Sequence, residues 1–410
     1  MAATITPRVG YVLLWFPEPS QTFILDEVNT LVELGLDVRV FTLYGPRPRA
    51  RVAGMAPVTA PVTHLGLAAL GALVQDLGGL SRHFGPDAAS FLRRVVLRRW
   101  RNLETAGEAW WAALAGVHLA RRALAQGLTH LHAPWANGPA TAAWVAGHLS
   151  GIPFSFCAHA HDLYPPDGAL QEKMAAAAFI RTISEANRQF MAGQAPESAA
   201  KIVKIACGAS LTGAPPPDRI PVPPYRPLAL SRLVEKKGFP MLLAACRLLA
   251  AQGVDFHLTL AGDGPQRRLL SGLVQEYGLG ERVTMPGFVP HSQVPALLAR
   301  SDLFVMPCII DSKGDRDGLP VVILEALAHA VPVVATPVNG IPEAVRDGET
   351  GWLAPPGDPQ ALARAIREAL ADPIEASRRA RAGQDLIAQE FDSRRNYGRL
   401  KGYLEGSDIA

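Results

Sequence analysis

Short apolar runs alternate with stretches of helical periodicity along the whole chain. In the first half the runs fall at residues 9–15, 38–43, 129–133, 154–157, 179–183 and 201–206, and in the second at 227–231, 256–261, 282–286, 303–306 and 331–336. They are apolar at nearly every position rather than at every second one. That is the pattern of strands buried on both faces of a parallel sheet covered by helices. Between the halves, residues 213–227 are dense in proline, which has no N–H to give to a ladder, so this stretch reads as a linker. The pattern predicts an α/β chain of two doubly wound, Rossmann-like domains facing a cleft: 1–212, the linker 213–227, then 228–390, with a terminal helix in 391–410. Ligands of such sheets bind outside the carboxyl ends of the strands, so the loops that follow the strands are where chemistry is expected.

Composition narrows the class. A chain of 410 residues suggests two domains, at roughly 150 residues per domain. Hydrophobic residues make up 49% and charged ones 19%, which is globular rather than disordered. A net charge of +3 gives no sign of the strong basic patch of a nucleic-acid binder. Cys157, Cys207, Cys246 and Cys308 are far apart, form no metal or redox motif, and read as buried thiols in reducing surroundings. The first eight residues lack the basic-then-apolar order of a signal peptide. The most apolar window, 65–80, contains Asp76 and falls short of the ~20 residues a membrane span needs. A cytoplasmic protein is expected. One segment leaves contact with the inner face of the plasma membrane open. Residues 91–103 read as a helix with Phe91, Leu92, Val95, Val96 and Leu103 on one side and Arg93, Arg94, Arg98 and Arg101 on the other. Such a helix either packs on a core with a solvated arginine face or lies on an anionic membrane.

Chemistry-bearing residues cluster after strands. Asp317 sits in the glycine-containing loop 314–318, and Glu325 follows on the next helix, seven residues separating the two. Pro320 suits a first helical turn, whose free N–H groups and dipole favour an anion. Amides for phosphates beside acceptor oxygens for hydroxyls fit a nucleotide-sugar site. After the strand at 227–231, Arg232 and Lys237 are placed to converge on one anion, while Lys236 reads as solvated. Gly262 and Gly264 end another strand, where glycine allows close backbone approach. In the first half, His159, His161 and Asp162 leave a buried strand, and a His–carboxylate pair can fix a tautomer. His130 and His132 alternate along a strand and read as structural, since no Cys or third His lies at zinc spacing. Ser20 and Thr22 precede an amphipathic helix; they read first as its caps, and alternatively as groups facing a diphosphate or an acceptor.

The segment from Gly314 through Glu325 to residues 337–343 resembles the C-terminal signature of glycosyltransferase family 4, a retaining family of the GT-B fold, with Asp317 where the family usually has Glu. Residues 230–238 resemble the family's Gly-Arg-Leu…Glu-Lys-Gly motif, with Ser231 in place of Gly. Residues 262–265 match its Gly-x-Gly-Pro turn, and 286–289 its base-reading loop. His159 takes the place of its Thr-x-His histidine, with Cys157 in the Thr position. Residues 17–24 look like a loop of the subgroup that includes colanic-acid and other exopolysaccharide transferases. The resemblance implies a retaining glycosyltransferase that moves a sugar from a nucleotide-diphosphate sugar to a glycan or polyprenyl-linked acceptor, with the last helix packing back on the first domain. It implies catalytic roles for His159, Arg232, Lys237, Asp317 and Glu325. Donor contacts would come from Gly264, Phe288, Val289, Gly318, Leu319, Pro320 and Val321. Ser20, Thr22, His161 and Asp162 would lie near sugar or acceptor. No metal and no cofactor is expected, since Arg, Lys and helix amides can replace a metal electrostatically. A non-catalytic partner subunit and a sugar-nucleotide epimerase on the same fold are the alternatives. A dinucleotide dehydrogenase is disfavoured, because no Gly-x-Gly-x-x-Gly follows the first strand.

Overall fold

The computed structural model describes residues 7–48, 52, 54–164, 166–210 and 220–406. Residues 1–6 of the signal-peptide reading and 213–219 of the linker lie outside the described residues. The chain divides into two compact units, residues 1–206 with 395–410, and residues 207–394. The first holds β1 (Arg8–Leu13), β2 (Asp37–Thr42), β3 (Val62–His64), β4 (His130–Ala133), β5 (Phe154–Ala158), β6 (Ile180–Thr182) and β7 (Ile202–Lys204). They form one parallel sheet in the order β3-β2-β1-β4-β5-β6-β7. The second holds β8 (Pro227–Leu230), β9 (Leu258–Ala261), β10 (Val283–Thr284), β11 (Leu303–Met306), β12 (Val333–Ala335) and β13 (Trp352–Leu353). Its order is β10-β9-β8-β11-β12-β13, again parallel throughout. Both are doubly wound sheets. Pro227, the last residue of the proline-dense stretch, begins β8 as the 227–231 run predicts, and β3 and β13 are additions to the expected strands.

Each face of the first sheet is covered. On one side, helices Leu103–Ala125 and Gly138–Ser150 pack through Ala and Gly; a Cβ on Gly116 would lie 2.8 Å from the Ala142 carbonyl oxygen, so this close approach requires glycine. On the other, Val9, Tyr11 and Leu13 pack with Ile24 and Val28 of helix Thr22–Glu33 and with Tyr397, Leu400 and Leu404 of the last helix, Ser393–Glu405. Arg181 and Glu27 form a fully buried ion pair there; Glu27 also accepts from Tyr11 Oη at 3.1 Å, and the Arg181 guanidinium lies 5.9 Å from the Tyr397 ring.

The helix expected over 91–103 is two elements. Asp87–Leu97 ends where Arg98 turns extended, and a new helix starts at Leu103, its Asn102 cap accepting from the Thr105 amide at 2.8 Å. The break follows from Arg98, which donates to the Gly168 carbonyl and to Glu172, both at 2.6 Å, and from Trp100, which is buried. Phe91, Leu92 and Val95 are core residues, Phe91 stacking on His148 at 3.7 Å. Arg93 and Arg94 are exposed, as are Leu97 and Leu103. Among the described residues no helix is long and apolar enough to cross a membrane.

Candidate functional site

In the second unit strand order reverses at β8, which lies between β9 and β11. The loops leaving β8 and β11 therefore diverge, which is where α/β sheets open a crevice for ligands. The loop after β8 carries Arg232, exposed, and Lys236 and Lys237, which are 4% and 5% exposed. Lys236 is thus buried, not solvated. The turn closes at Gly238, whose φ is +67°; a Cβ there would fall 1.9 Å from the Pro307 carbonyl oxygen, at the end of β11. Glycine lets the cation-bearing turn press against the loop that carries Asp317.

Contacts between these two loops are dense. The Ile309 amide donates to the Lys236 carbonyl at 2.9 Å, and Glu235 accepts from the Ser312 amide and hydroxyl, both at 3.0 Å. Lys237 Nζ lies 2.7 Å from Asp317 Oδ2, and Lys236 Nζ lies 3.7 Å from Asp317 Oδ1 and 2.9 Å from Asp315 Oδ2. Burial alone would raise the Asp317 pKa, but Lys237, Lys236 and Arg232 act together to hold it below the usual carboxylate value. The Cys308 thiol donates to Asp317 Oδ2 at 3.5 Å, and burial pushes that thiol up, so it stays protonated. Asn339 donates to the Asp317 carbonyl at 3.0 Å, and the Gly340 amide to the Gly318 carbonyl at 2.8 Å, fixing the approach to the next helix.

That helix is Val321–Ala328, with Pro320 at its cap rather than in its first turn. No acidic side chain occupies the first turn, so its amides and dipole are available to an anion. Gly318, Leu319 and Pro320 are buried; Val321 is half-buried. Glu325, flanked by the buried Ile323, Leu324, Ala326 and Leu327, has the partner its setting demands: His291 Nε2 lies 2.7 Å from Glu325 Oε1. His291 was not among the sequence candidates. It stands just past the 286–289 loop, outside the matched motif, and only the fold carries it to the helix.

The remaining donor-side loops interlock with these. Leu233 N donates to the Asp263 carbonyl at 2.9 Å, and Gly262 N to the Gly287 carbonyl at 2.8 Å. Gly264, at φ +156°, is pressed against Leu233, whose carbonyl oxygen would be 2.6 Å from a Cβ. Phe288 is 58% exposed at the end of this series, with Val289 half-buried. A large apolar ring left in solvent at a strand's carboxyl end is available to stack on a planar ligand.

In the first unit, His159 is buried against Trp135 and Phe23, with ring centroids at 4.6 and 5.2 Å. Its Nε2 is 3.9 Å from Cys157 Sγ, and burial lowers its pKa to about 3, so the ring is neutral. Asp162 and His161 do interact: burial raises the Asp162 pKa, and the charge of His161 is among the smaller influences that lower it. Asp162 is 6% exposed and accepts from the Ala136, His159 and Ala160 amides at 2.7, 3.0 and 3.1 Å, tying the loops after β4 and β5 together, while His161 is exposed. Ser20 and Thr22 do not cap helix Thr22–Glu33. Gln21 holds the cap position with no capping side-chain bond, and Thr22 is already the first helical residue. His130 and His132 both bond Ser155 Oγ, at 2.7 and 2.8 Å, and are structural. All four cysteines are buried and none is in a disulfide. Among the described residues no group of His, Cys, Asp or Glu is arranged to hold a metal.

Residues 217–386, which include every donor-side loop above, match the family Glycosyl transferases group 1. Over these residues the chain carries a group 1 glycosyltransferase domain. It is 29% identical over 399 residues to a protein of Escherichia coli (strain K12) named for colanic acid biosynthesis, the glycosyltransferase WcaL, covering 88% of this chain and 89% of that one. It is 36% identical over 185 residues to the amylovoran biosynthesis glycosyltransferase AmsK of Erwinia amylovora, covering 44% of this chain and 45% of that one. Among solved structures it resembles Anabaena HepE in complex with UDP (TM-score 0.71, 18% identity, 97% of this chain and 100% of that one). It also resembles sucrose-phosphate synthase from Thermosynechococcus elongatus (TM-score 0.70, 20% identity, 98% and 100%). At those identities the structural likeness establishes the fold, which is GT-B.

Proposed function

We propose that this glycosyltransferase transfers a sugar, with retention, from a nucleotide-diphosphate sugar to a glycan or lipid-linked acceptor in exopolysaccharide biosynthesis. One observation carries the reading. At the reversal of strand order in the second unit, Lys237 pairs with Asp317 at 2.7 Å and Arg232 acts on the same carboxylate, in the loop that leads directly into helix Val321–Ala328 and Glu325. Cations and helix amides bind the diphosphate and offset leaving-group charge, and Glu325 accepts from the ribose hydroxyls. The departing phosphate takes the acceptor's proton as its hydroxyl attacks from the same side, so no enzyme nucleophile and no metal is required. Phe288 and Val289 contact the base. The names of WcaL and AmsK support the polysaccharide setting.

A thermal-shift screen against UDP, GDP and ADP sugars tests the donor. A ligand at 100 times its Kd stabilises by about 2.7 kcal/mol, so one nucleotide raises Tm clearly. A flat response to all three, with no transfer product, rejects the reading. Retention is read from the anomeric configuration of the product by NMR. The same reading places the protein at an anionic membrane through exposed Arg93, Arg94, Leu97 and Leu103. Flotation with anionic vesicles at low salt tests that contact, and a protein that stays unbound rejects it.

A further inference from the structure

We infer that Lys236 is a positioning residue that takes over the Asp317 carboxylate when a donor diphosphate draws Lys237 away. The inference rests on the reading of Lys237 as a diphosphate ligand. Without ligand, Lys237 is committed: its Nζ lies 2.7 Å from Asp317 Oδ2. To bind a phosphate it must give up or lengthen that pair. Asp317 would then hold a negative charge in a side chain only 14% exposed, with only the looser Lys236 contact and the field of Arg232 to balance it, and a poorly paired buried charge is strongly unfavourable. Cys308, 3.5 Å from the same oxygen, is a neutral, weak donor and does not balance it.

Lys236 is built for that task. Its Nζ is 3.7 Å from the other carboxylate oxygen, Oδ1, close enough for a small rotation to complete an ion pair. It is held in the second unit rather than free to follow the phosphate. Its carbonyl accepts from the Ile309 amide at 2.9 Å, its neighbour Glu235 grips Ser312, and its own ammonium is anchored on Asp315 at 2.9 Å. A lysine has three N–H donors, so holding Asp315 and Asp317 together is within its capacity. One lysine therefore stays with the loop's carboxylates while the next turns to the ligand. The order of charges lets the site bind an anion without stranding Asp317.

The test is a double-mutant cycle on binding, by calorimetry, with the full chain and UDP, GDP or ADP, whichever the wild type binds. Lys236→Gln is expected to raise Kd about tenfold in the wild-type background and by no more than about twofold in an Asp317→Asn background, a coupling typical of contacting residues. Lys236→Arg restores most of the loss. Asp315→Asn, which frees Lys236 for Asp317, leaves binding equal or tighter. Equal losses from Lys236→Gln in both backgrounds, or weakened binding in Asp315→Asn, overturn the inference. Lys237→Gln separates the two levels: unchanged binding in that variant refutes the reading of Lys237 itself. Should Lys236→Gln fail to fold, the Asp315→Asn and Lys236→Arg arms still decide.

Discussion

Glu325→Ala isolates the proposed ribose contact. The carboxylate is on a rigid helix, its side chain 18% exposed, between residues that are wholly buried. A charged hydrogen bond of this kind contributes about 1.5–3 kcal/mol, and at about 1.4 kcal/mol per factor of ten that is a rise in Kd of roughly 10- to 150-fold. The substitution costs the fold little. Its side-chain carboxylate pairs with His291, whose own side chain is 53% exposed and regains water when the carboxylate goes. Alanine also suits the helix interior. Calorimetric titration with the nucleotide sugar identified by thermal shift reads the effect directly, with circular dichroism as the folding control. Glu325→Gln, which keeps an acceptor oxygen but loses the charge, should fall between wild type and alanine. His291→Ala should weaken binding less than Glu325→Ala, since it orients the acid without itself receiving the ribose. Equal donor affinity in folded Glu325→Ala and wild type would remove ribose binding from this residue.

Arg232→Ala and Lys237→Ala should each reduce kcat/KM, and the double variant should be nearly inactive; normal turnover by the double variant would mean the diphosphate is held elsewhere. EDTA should leave wild-type activity intact, and a loss restored by a divalent ion would contradict metal-free catalysis. Burial lowers the pKa of His130 to about 4 and of His159 to about 3, whereas an unfolded His titrates near 6.5. As pH falls below about 6.5 the unfolded chain gains protons that the native rings refuse, so stability is full above that value and declines towards the native pKa values. Urea unfolding at pH 7.5, 6 and 5 should show the decline, with a shallower slope in His159→Gln; an identical slope in that variant would count against a neutral His159.

The two halves and their strands were legible because a strand covered on both faces must be apolar throughout, whatever its neighbours. β3 and β13 escaped notice for the converse reason. Val62–His64 has no fully buried residue and Trp352–Leu353 is only two residues long, so neither leaves a run to read. The motif residues Arg232, Lys237, Asp317 and Glu325 were legible as types at characteristic spacings. Their relations were not. Lys236 looks like any surface lysine in a polar run, and only the approach of the 309–317 loop buries it. His291 and Glu325 are brought together by the fold from a turn and a helix far apart in the chain. The break at Arg98 was hidden because helical periodicity continues through it, while the cause of the break, Gly168 and Glu172, lies far along the chain.

The departures from the family pattern bear on whether this protein works as an enzyme or only binds. Asp317 is shorter than the usual Glu, and its carboxylate is drawn to Lys236 and Lys237 rather than outward. That weakens a direct sugar contact but gathers both lysines at the loop before a ligand arrives, which is where leaving-group stabilisation needs them. Ser231 replaces a glycine where the backbone, not the side chain, makes the close approach: a Cβ on Gly262 would lie 1.8 Å from the Ser231 carbonyl oxygen, so the tight position belongs to Gly262, and that glycine is present. Cys157 stands in for a threonine beside His159, and its weakly polar sulfur lies 3.9 Å from the ring. None of the three removes a cation, a helix amide or the Glu325 carboxylate. A subunit that had lost catalysis would be free to lose those groups first. Their retention, with Lys237 buried and oriented by an ion pair, favours the transferase over the inert binding partner.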